Sequence, residues 1–219
     1  MRRMVWMLPL CLVFASNASA QEISPKGKKL AAALDSMEVE RLWLSGRYVK
    51  WESGESTGKE ITDGKPHTHC SAFVASACKK LGLYVLRPKG NGDPAGVTGH
   101  SETQLANAQH DWLGSAEGRK FGWLAVPAPL EAQRIANRGF LVVASFKEPD
   151  PKKAGHIAIV RPSKRGEGAI DRDGPEIIQA GGNNFNAGTV RAGFGNHPAA
   201  WRIDRQVRFF RNTNEINLP

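Results

Sequence analysis

The sequence predicts an α+β fold in which helices come first and a mostly antiparallel sheet follows. The N-terminal half has apolar residues at helical spacing. After residue 138 the chain contains four short runs rich in β-branched and aromatic residues, each bounded by turns. Helices grouped before strands are typical of α+β domains, whereas regular alternation predicts a parallel sheet.

Four helices account for the helical spacing. The first is expected at 29–44 and ends before Gly46, and the second at 70–81 ends before Gly82. A third helix, 101–113, starts with a Ser-x-x-Gln pattern that resembles a capping box. The fourth is expected at 130–138. The connections between them are polar or rich in Gly and Pro, and they include a short extended segment, 83–86, and a surface loop, 87–99.

The strands are expected in four runs near the C-terminal end. These are "GFLVVASF", "GHIAIVRP", "EIIQAG" and "QVRFFRN". The connection between the second and third runs, "SKRGEGAIDRDGP", is long enough for an elaborated hairpin. The prediction is therefore a single domain whose helices pack on one sheet.

Residues 1–20 have the pattern of a secretory signal peptide. Arg2 and Arg3 precede a short apolar core, and Ala-Ser-Ala forms a cleavage site that ends at Ala20. Cleavage there leaves 21–219 as one secreted or periplasmic domain. The apolar core is too short to span a bilayer and no second long apolar run follows, so stable membrane insertion is not expected.

The chain is basic, with a formal net charge of +9. A basic exported protein concentrates on anionic surfaces such as cell-wall polymers, lipid headgroups or nucleic acid. Simple solubility is the alternative explanation of the charge. The basic residues are scattered along the sequence without a nucleic-acid motif, so nucleic acid is not expected as a partner. The oligomeric state stays open.

Only two cysteines, Cys70 and Cys78, remain after the expected cleavage. On one helix their Cα atoms would be roughly 12 Å apart, and a disulfide requires less than about 7 Å. Two free thiols are therefore expected in an oxidising compartment. Cys70 lies at a helix N-terminus, where free amides and the helix dipole favour a thiolate. Cys78 is expected in the core.

His156 is the first residue of the run after Gly155. Alternation puts small Ala158 on the same face, which leaves room beside the imidazole. In the next run Gln179 is a polar residue in a strand that is otherwise apolar, and a buried amide needs a hydrogen-bond partner. Cys70, His156 and Gln179 together have the residue types of a nucleophile, a base and an orienting group.

Three motifs, "THCSAFVASACKKLGL", "GHIAIVRP" and "IIQAGGNN", resemble the NlpC-like and CHAP branches of the papain-like cysteine peptidases and amidases. The resemblance covers about 48–210. It implies a papain-like α+β fold with Cys70 as the nucleophile and His156 as the general base. It also implies that Gln179 has the orienting role, in place of the commoner His, Asn or Glu, with Asn183 or Asn184 as alternatives.

Two further residues follow from the same resemblance. "GRYVKW" resembles the tyrosine segment upstream of the nucleophile, which places Tyr48 near the oxyanion site. His69 stands where the family has Asp, and it is expected to shape the nucleophile's pocket. Asn184, in a loop rich in Gly and Asn, is also a candidate for substrate contact.

The resemblance implies cleavage of amide bonds in bacterial cell-wall peptides through an acyl-enzyme, with an anionic cell-wall peptide or glycan as the partner. It requires no metal or organic cofactor. A catalytically silent wall-binding module and an acyltransferase on the same fold are the alternatives. A further alternative is a zinc site at His67, His69 and Cys70, with His100 or His110 as the fourth ligand.

Overall fold

The computed structural model describes residues 21–64, 66–88 and 105–218. Its helices are α1 (Pro25–Asp35), α2 (Cys70–Lys80), α3 (Leu105–Leu113), α4 (Ala116–Lys120), α5 (Pro129–Asn137), α6 (Glu167–Asp173) and α7 (Val190–Gly193). Its strands are β1 (Trp123–Val126), β2 (Val142–Phe146), β3 (His156–Val160), β4 (Glu176–Gln179), β5 (Phe185–Thr189) and β6 (Arg208–Asn212). The protein therefore has an α+β fold, as the sequence predicts.

The six strands form one antiparallel sheet in the order β1-β6-β2-β3-β4-β5. Alternate residues of β2, β3, β4 and β6 face two different apolar clusters. Ile157 and Ile159 of β3 face the cluster that contains α1, α2 and α3. Ala158 and Val160 face the cluster that contains α5 and Phe194. The central strands are thus covered on both faces, in agreement with the full burial of β2 and β3.

Helix α2 differs from the predicted range by one residue at its C-terminal end. Its apolar stripe packs on β3, and the buried side chains include Phe73, Val74 and Cys78. Gly82 follows with a φ of 75°, in the left-handed region where glycine ends helices without strain. The helix therefore carries its first residue, Cys70, to the end of the sheet where β3 begins.

The prediction of a first helix at 29–44 is wrong in both bounds. Helix α1 starts at Pro25, with the Ser24 hydroxyl accepting a hydrogen bond from the Gly27 amide, and it ends at Asp35. The residues that follow form turns. They bury Trp43 against Gly54, where a Cβ atom would lie 2.3 Å from the indole. The apolar residues after α1 are spaced as in a helix, but they are buried within a segment that consists of turns.

Several other elements differ from the sequence prediction. Strands β1 and β5 and the three short helices α4, α6 and α7 were not predicted from the sequence. Helix α6 lies within the connection that was expected to form an elaborated hairpin. Residues 83–86 are irregular and belong to no strand. The expected signal peptide, most of the 87–99 loop and the start of the third helix lie outside the described residues. No helix in the described part of the chain is long and apolar enough to cross a membrane.

Candidate active site

Cys70 is the first residue of α2 and is 6% exposed. Its sulfur lies within hydrogen-bonding reach of backbone groups of Ile157, of Ser71 and of Cys70 itself, and these contacts lower the thiol pKa. A contact that lowers this pKa stabilises the anion, so these backbone groups act on the sulfur through their N–H dipoles. The Ile157 N–H belongs to the peptide that follows His156. The fold thus brings the thiol to the first peptide of β3.

His156 and Gln179 form a direct hydrogen bond, with 2.7 Å between the imidazole Nε2 and the amide Oε1. Both side chains are buried. The amide nitrogen of Gln179 donates to the Asn183 carbonyl at 2.9 Å, which fixes the orientation of the amide group. Because Oε1 can only accept, Nε2 of His156 carries the proton and Nδ1 keeps its lone pair. Gln179, and not Asn183 or Asn184, is the side chain that orients the imidazole.

Two glycines leave the space for this pair. A Cβ atom on Gly181 would lie 3.2 Å from the Gln179 amide nitrogen and 3.3 Å from the His156 ring. A Cβ atom on Gly193 would lie 2.4 Å from the Gln179 Oε1. Any side chain at Gly193 would therefore displace the oxygen that accepts from His156.

The His156 ring packs edge-on against Phe194, with 4.7 Å between the ring centroids. The ring of His197 is stacked with the His156 ring, with 6.2 Å between the ring centroids. The Nδ1 atom of His197 lies 3.0 Å from a carboxylate oxygen of Glu148. On the other side, the Asn107 side chain of α3 accepts hydrogen bonds from the backbone amides of Glu148 and Gly155. The β2–β3 connection is therefore tied to α3 directly before His156.

The resting site contains a neutral thiol and a neutral imidazole. Burial raises the pKa of the Cys70 thiol, and the backbone donors oppose this without reversing it. Burial also lowers the pKa of His156, although the hydrogen bond to Gln179 acts in the opposite direction. Burial therefore opposes the thiolate that the helix N-terminus favours, because the loss of solvent around the sulfur outweighs the backbone contacts.

Cys70 and His156 lie near the start of β3 on different faces of the sheet. The thiol belongs to the cluster that includes Ile157, whereas the His156 ring packs on Phe194 in the other cluster. No hydrogen bond joins the thiol to the imidazole, and Nδ1 of His156 has no hydrogen-bond partner among the described residues. The thiol contacts β3 through the backbone of Ile157.

Two residues expected near the nucleophile have other contacts. The ring of His69 donates from Nε2 to the Arg47 carbonyl at 2.8 Å, and the His69 side chain makes no cap hydrogen bond to α2. Tyr48 is half-buried and packs edge-on against His67, with 4.6 Å between the ring centroids. His69 therefore ties the segment containing Tyr48 to the N-terminus of α2. The contacts of Tyr48 do not place its hydroxyl at an oxyanion position.

Asn184 fastens the loop after β4 to the segment after α1. Its amide nitrogen donates to the carbonyls of Val39, Leu42 and Trp43 at 2.8–3.1 Å, and its oxygen accepts from the Gly181 amide at 2.9 Å. All the polar atoms of the side chain are occupied by backbone groups. The expectation that Asn184 contacts substrate is therefore replaced by a structural role beside Gly181.

We expect Asn184→Ala to lower the free energy of unfolding by about 2 kcal/mol, because it leaves half-buried backbone groups without partners. Urea denaturation measures this loss. Asn183→Ala is the matched control, since that side chain is exposed and only its carbonyl is used. Equal stability of the two variants would contradict the structural role of Asn184.

The histidines of the proposed zinc site are dispersed. His67 is paired with Asp63 at 2.7 Å, and buried His110 contacts the Ser145 hydroxyl at 3.1 Å. Within residues 21–64, 66–88 and 105–218, no group of three or more His, Cys, Asp or Glu side chains is placed to hold a metal ion. His100 lies outside the described residues.

Sequence reasoning missed His197, Glu148 and Asn107. His197 lies in a turn-rich segment and Glu148 in a hairpin connection, so no periodicity marked either residue. Asn107 is a polar residue on the buried side of α3. A buried asparagine in a helix needs hydrogen-bond partners, and this need was the only sequence signal that could have pointed to Asn107.

The fold and the site define an α+β protein with a buried cysteine at a helix N-terminus and a histidine–glutamine pair at the adjoining strand ends. No protein-family model matches the chain. A comparison with curated protein sequences likewise finds no similar protein.

Proposed function

We propose that this chain is a papain-like thiol amidohydrolase of the NlpC or CHAP type, which cleaves amide bonds in bacterial cell-wall peptides. The observation that carries the proposal is the hydrogen bond between His156 Nε2–H and Gln179 Oε1. It fixes the one tautomer in which Nδ1 can accept a proton. This imidazole adjoins the peptide whose N–H contacts the thiol of Cys70.

The reaction proceeds by acyl transfer. As the Cys70 sulfur attacks the amide carbonyl carbon, the thiol proton passes to Nδ1 of His156. The imidazolium then gives that proton to the leaving amine as the C–N bond breaks, and a thioester remains on Cys70. Water attacks the thioester, its proton passes to His156, and the thiol is regenerated when the proton returns to sulfur.

Backbone amides stabilise the negative charge that develops in this reaction. The backbone groups of Cys70 and Ser71 at the start of α2 lower the pKa of the thiol. The Cys70 amide also serves as an oxyanion donor for the carbonyl oxygen of the substrate. Because the site is buried, these donors act in a medium of low dielectric constant, where hydrogen bonds to an anion are strong.

The site requires a productive complex in which the thiol and Nδ1 come within hydrogen-bonding distance. Catalytic hydrogen bonds are often long in a free enzyme and shorten when substrate binds. Substrate binding at the end of β3 therefore has to bring the imidazole and the sulfur together. Gln179 keeps the tautomer fixed while this happens.

Digestion of purified cell-wall sacculi tests the proposed reaction. The protein is incubated with sacculi, and the soluble fragments are identified by mass. We expect fragments with a new carboxyl end and a new amine end at one type of amide bond. An added amine separates hydrolysis from transfer, because an acyltransferase would give amide products with that amine. Intact sacculi under all conditions would contradict the proposal.

A catalytically silent wall-binding module is the second candidate. It is favoured by the burial of Cys70 and by the absence of a hydrogen bond between its thiol and His156. Sedimentation with sacculi separates the two candidates. A silent module co-sediments with the wall and releases no fragments, whereas the hydrolase releases fragments.

Alkylation by iodoacetamide is expected to select Cys70 over Cys78 by at least roughly tenfold in rate. Cys70 has N–H donors on its sulfur, whereas burial raises the pKa of Cys78 to about 12. Because the pKa of Cys70 is also raised, its alkylation rate should keep increasing at pH values above the usual thiol range. Peptide mass spectrometry measures both rates, and equal rates at the two cysteines would favour the silent module.

A further inference from the structure

An open groove runs along β1 at the edge of the sheet. In the described part of the chain β1 pairs only with β6, so one side of its backbone has no neighbouring strand. Leu124 and Ala125 in the middle of the strand are exposed. Two adjoining concavities, of about 340 and about 370 Å³, share Ala125, Val126 and Pro127 as their common wall.

The groove is lined by arginines. Arg205 and Arg208 line the first concavity, and Arg138 and Arg211 line the second. The acidic groups that face them are fewer. Glu131 pairs with Arg138 at 3.1 Å, and exposed Asp171 pairs with Arg205 at 3.1 Å.

Two of these arginines are suited to bind a ligand. Arg211 makes no ion pair with a described residue. The Arg205 guanidinium lies over the ring of Trp201, 5.3 Å from its centroid, which orients the charge, and its ion-pair partner Asp171 is exposed. Arg205 also has a φ of 50°, an uncommon backbone conformation for a residue with a side chain. The groove therefore presents positive charge beside a free strand edge.

The residues shared by the two concavities lie at the same end of the sheet as the candidate active site. The register pairs Val126 with Phe209, Ser145 with Arg208, and Phe146 with His156. The end of β1 and the start of β3 therefore lie on the same end of the sheet. Three steps between neighbouring strands separate them, which is about 14 Å. An extended chain crosses that distance in roughly four residues.

We propose that this groove binds an extended acidic peptide segment, which adds as a strand to the free edge of β1 and places carboxylates against Arg205 and Arg211. The inference rests on the proposed function, because the segment is a remote part of the same substrate. A free strand edge offers backbone hydrogen bonds to a peptide, and a phosphate polymer cannot use them. Planar guanidinium groups bind carboxylates in a bidentate manner.

Fluorescence anisotropy with defined peptides tests the groove in the Cys70→Ala variant, which cannot turn substrate over in the proposed mechanism. The first probe is a labelled peptide of about eight residues in which Thr and Glu alternate. The second has Gln in place of Glu, and the third is the Glu peptide with N-methyl groups on alternate residues. We expect the Glu peptide to bind at least roughly tenfold more tightly than either of the other two.

Variants of the groove arginines test whether the Glu peptide binds in the groove. The double variant Arg205→Gln/Arg211→Gln should reduce the affinity for the Glu peptide to that for the Gln peptide. Arg41→Gln is the matched control, because Arg41 is exposed and lines neither concavity; it should leave the affinity unchanged. Circular dichroism verifies the fold of each variant.

Three results would overturn the proposal: equal binding of the Glu and Gln peptides, unchanged binding by the double variant, or unchanged binding of the N-methylated peptide. The wild-type digestion of sacculi is a separate readout. Digestion of sacculi without peptide binding would contradict the proposed peptide site and support the hydrolase. Peptide binding without digestion of sacculi would contradict the proposed hydrolase activity and support a binding site for acidic peptides.

Discussion

We expect Cys70→Ala to abolish the proposed release of fragments from cell-wall sacculi and to leave the fold intact. The alanine variant has no group that can form the thioester, so no acyl-enzyme pathway remains. The side chain lies at a helix start and is small, so its truncation should lower the free energy of unfolding by only about 1–2 kcal/mol. Fragment release measured by mass spectrometry, together with a urea unfolding curve, gives both quantities.

Cys78→Ala is the matched control for that experiment. Cys78 lies on the same helix, is 0% exposed and belongs to the same apolar cluster, so its loss tests the effect of truncating a buried thiol. We expect Cys78→Ala to keep full turnover after correction for any stability loss. Fragment release by a folded Cys70→Ala protein would refute the nucleophile assignment.

His156→Ala is expected to reduce turnover by about 10²–10⁴-fold, the usual contribution of a positioned general acid–base group. It should also slow the alkylation of Cys70, because in the proposed mechanism His156 accepts the thiol proton. The same change leaves the Gln179 oxygen without its partner, so some loss of stability is expected. Turnover and alkylation are therefore measured under conditions in which the variant is folded.

His110→Ala provides the corresponding control. His110 is also buried, but it bonds the Ser145 hydroxyl and packs on Phe210, away from Gln179. We expect its truncation to affect stability without changing the alkylation rate of Cys70. If His156→Ala alkylated at the wild-type rate, the pairing of thiol and imidazole would be excluded.

The sequence was sufficient for elements whose burial pattern is regular. β3 and β4 were predicted because their runs are apolar and bounded by turns, and α2 because its stripe is continuous. Two edge strands escaped prediction for a physical reason. The middle of β1 is exposed, and β5 contains Asn and Gly, so strand formation there depends on pairing with a neighbour that the local sequence does not encode.

The candidate site was predictable in its residue types but not in its electrostatics. His156 and Gln179 were paired by the need of a buried amide for a partner, and the structure contains that hydrogen bond. The charge state of Cys70 depends on how much solvent the surrounding chain excludes, which local sequence does not give. Asn184 and His69 are also held by distant backbone carbonyls, and the local sequence does not reveal those contacts.

Acid quenching during sacculi digestion is the most direct test of acyl transfer through Cys70. Rapid quenching followed by intact and peptide mass spectrometry should show a wall-peptide fragment attached as a thioester to the peptide that contains residue 70. His156→Ala should show less of this adduct at early times. Release of wall fragments by the wild-type protein with no adduct on Cys70 at any time would contradict the account.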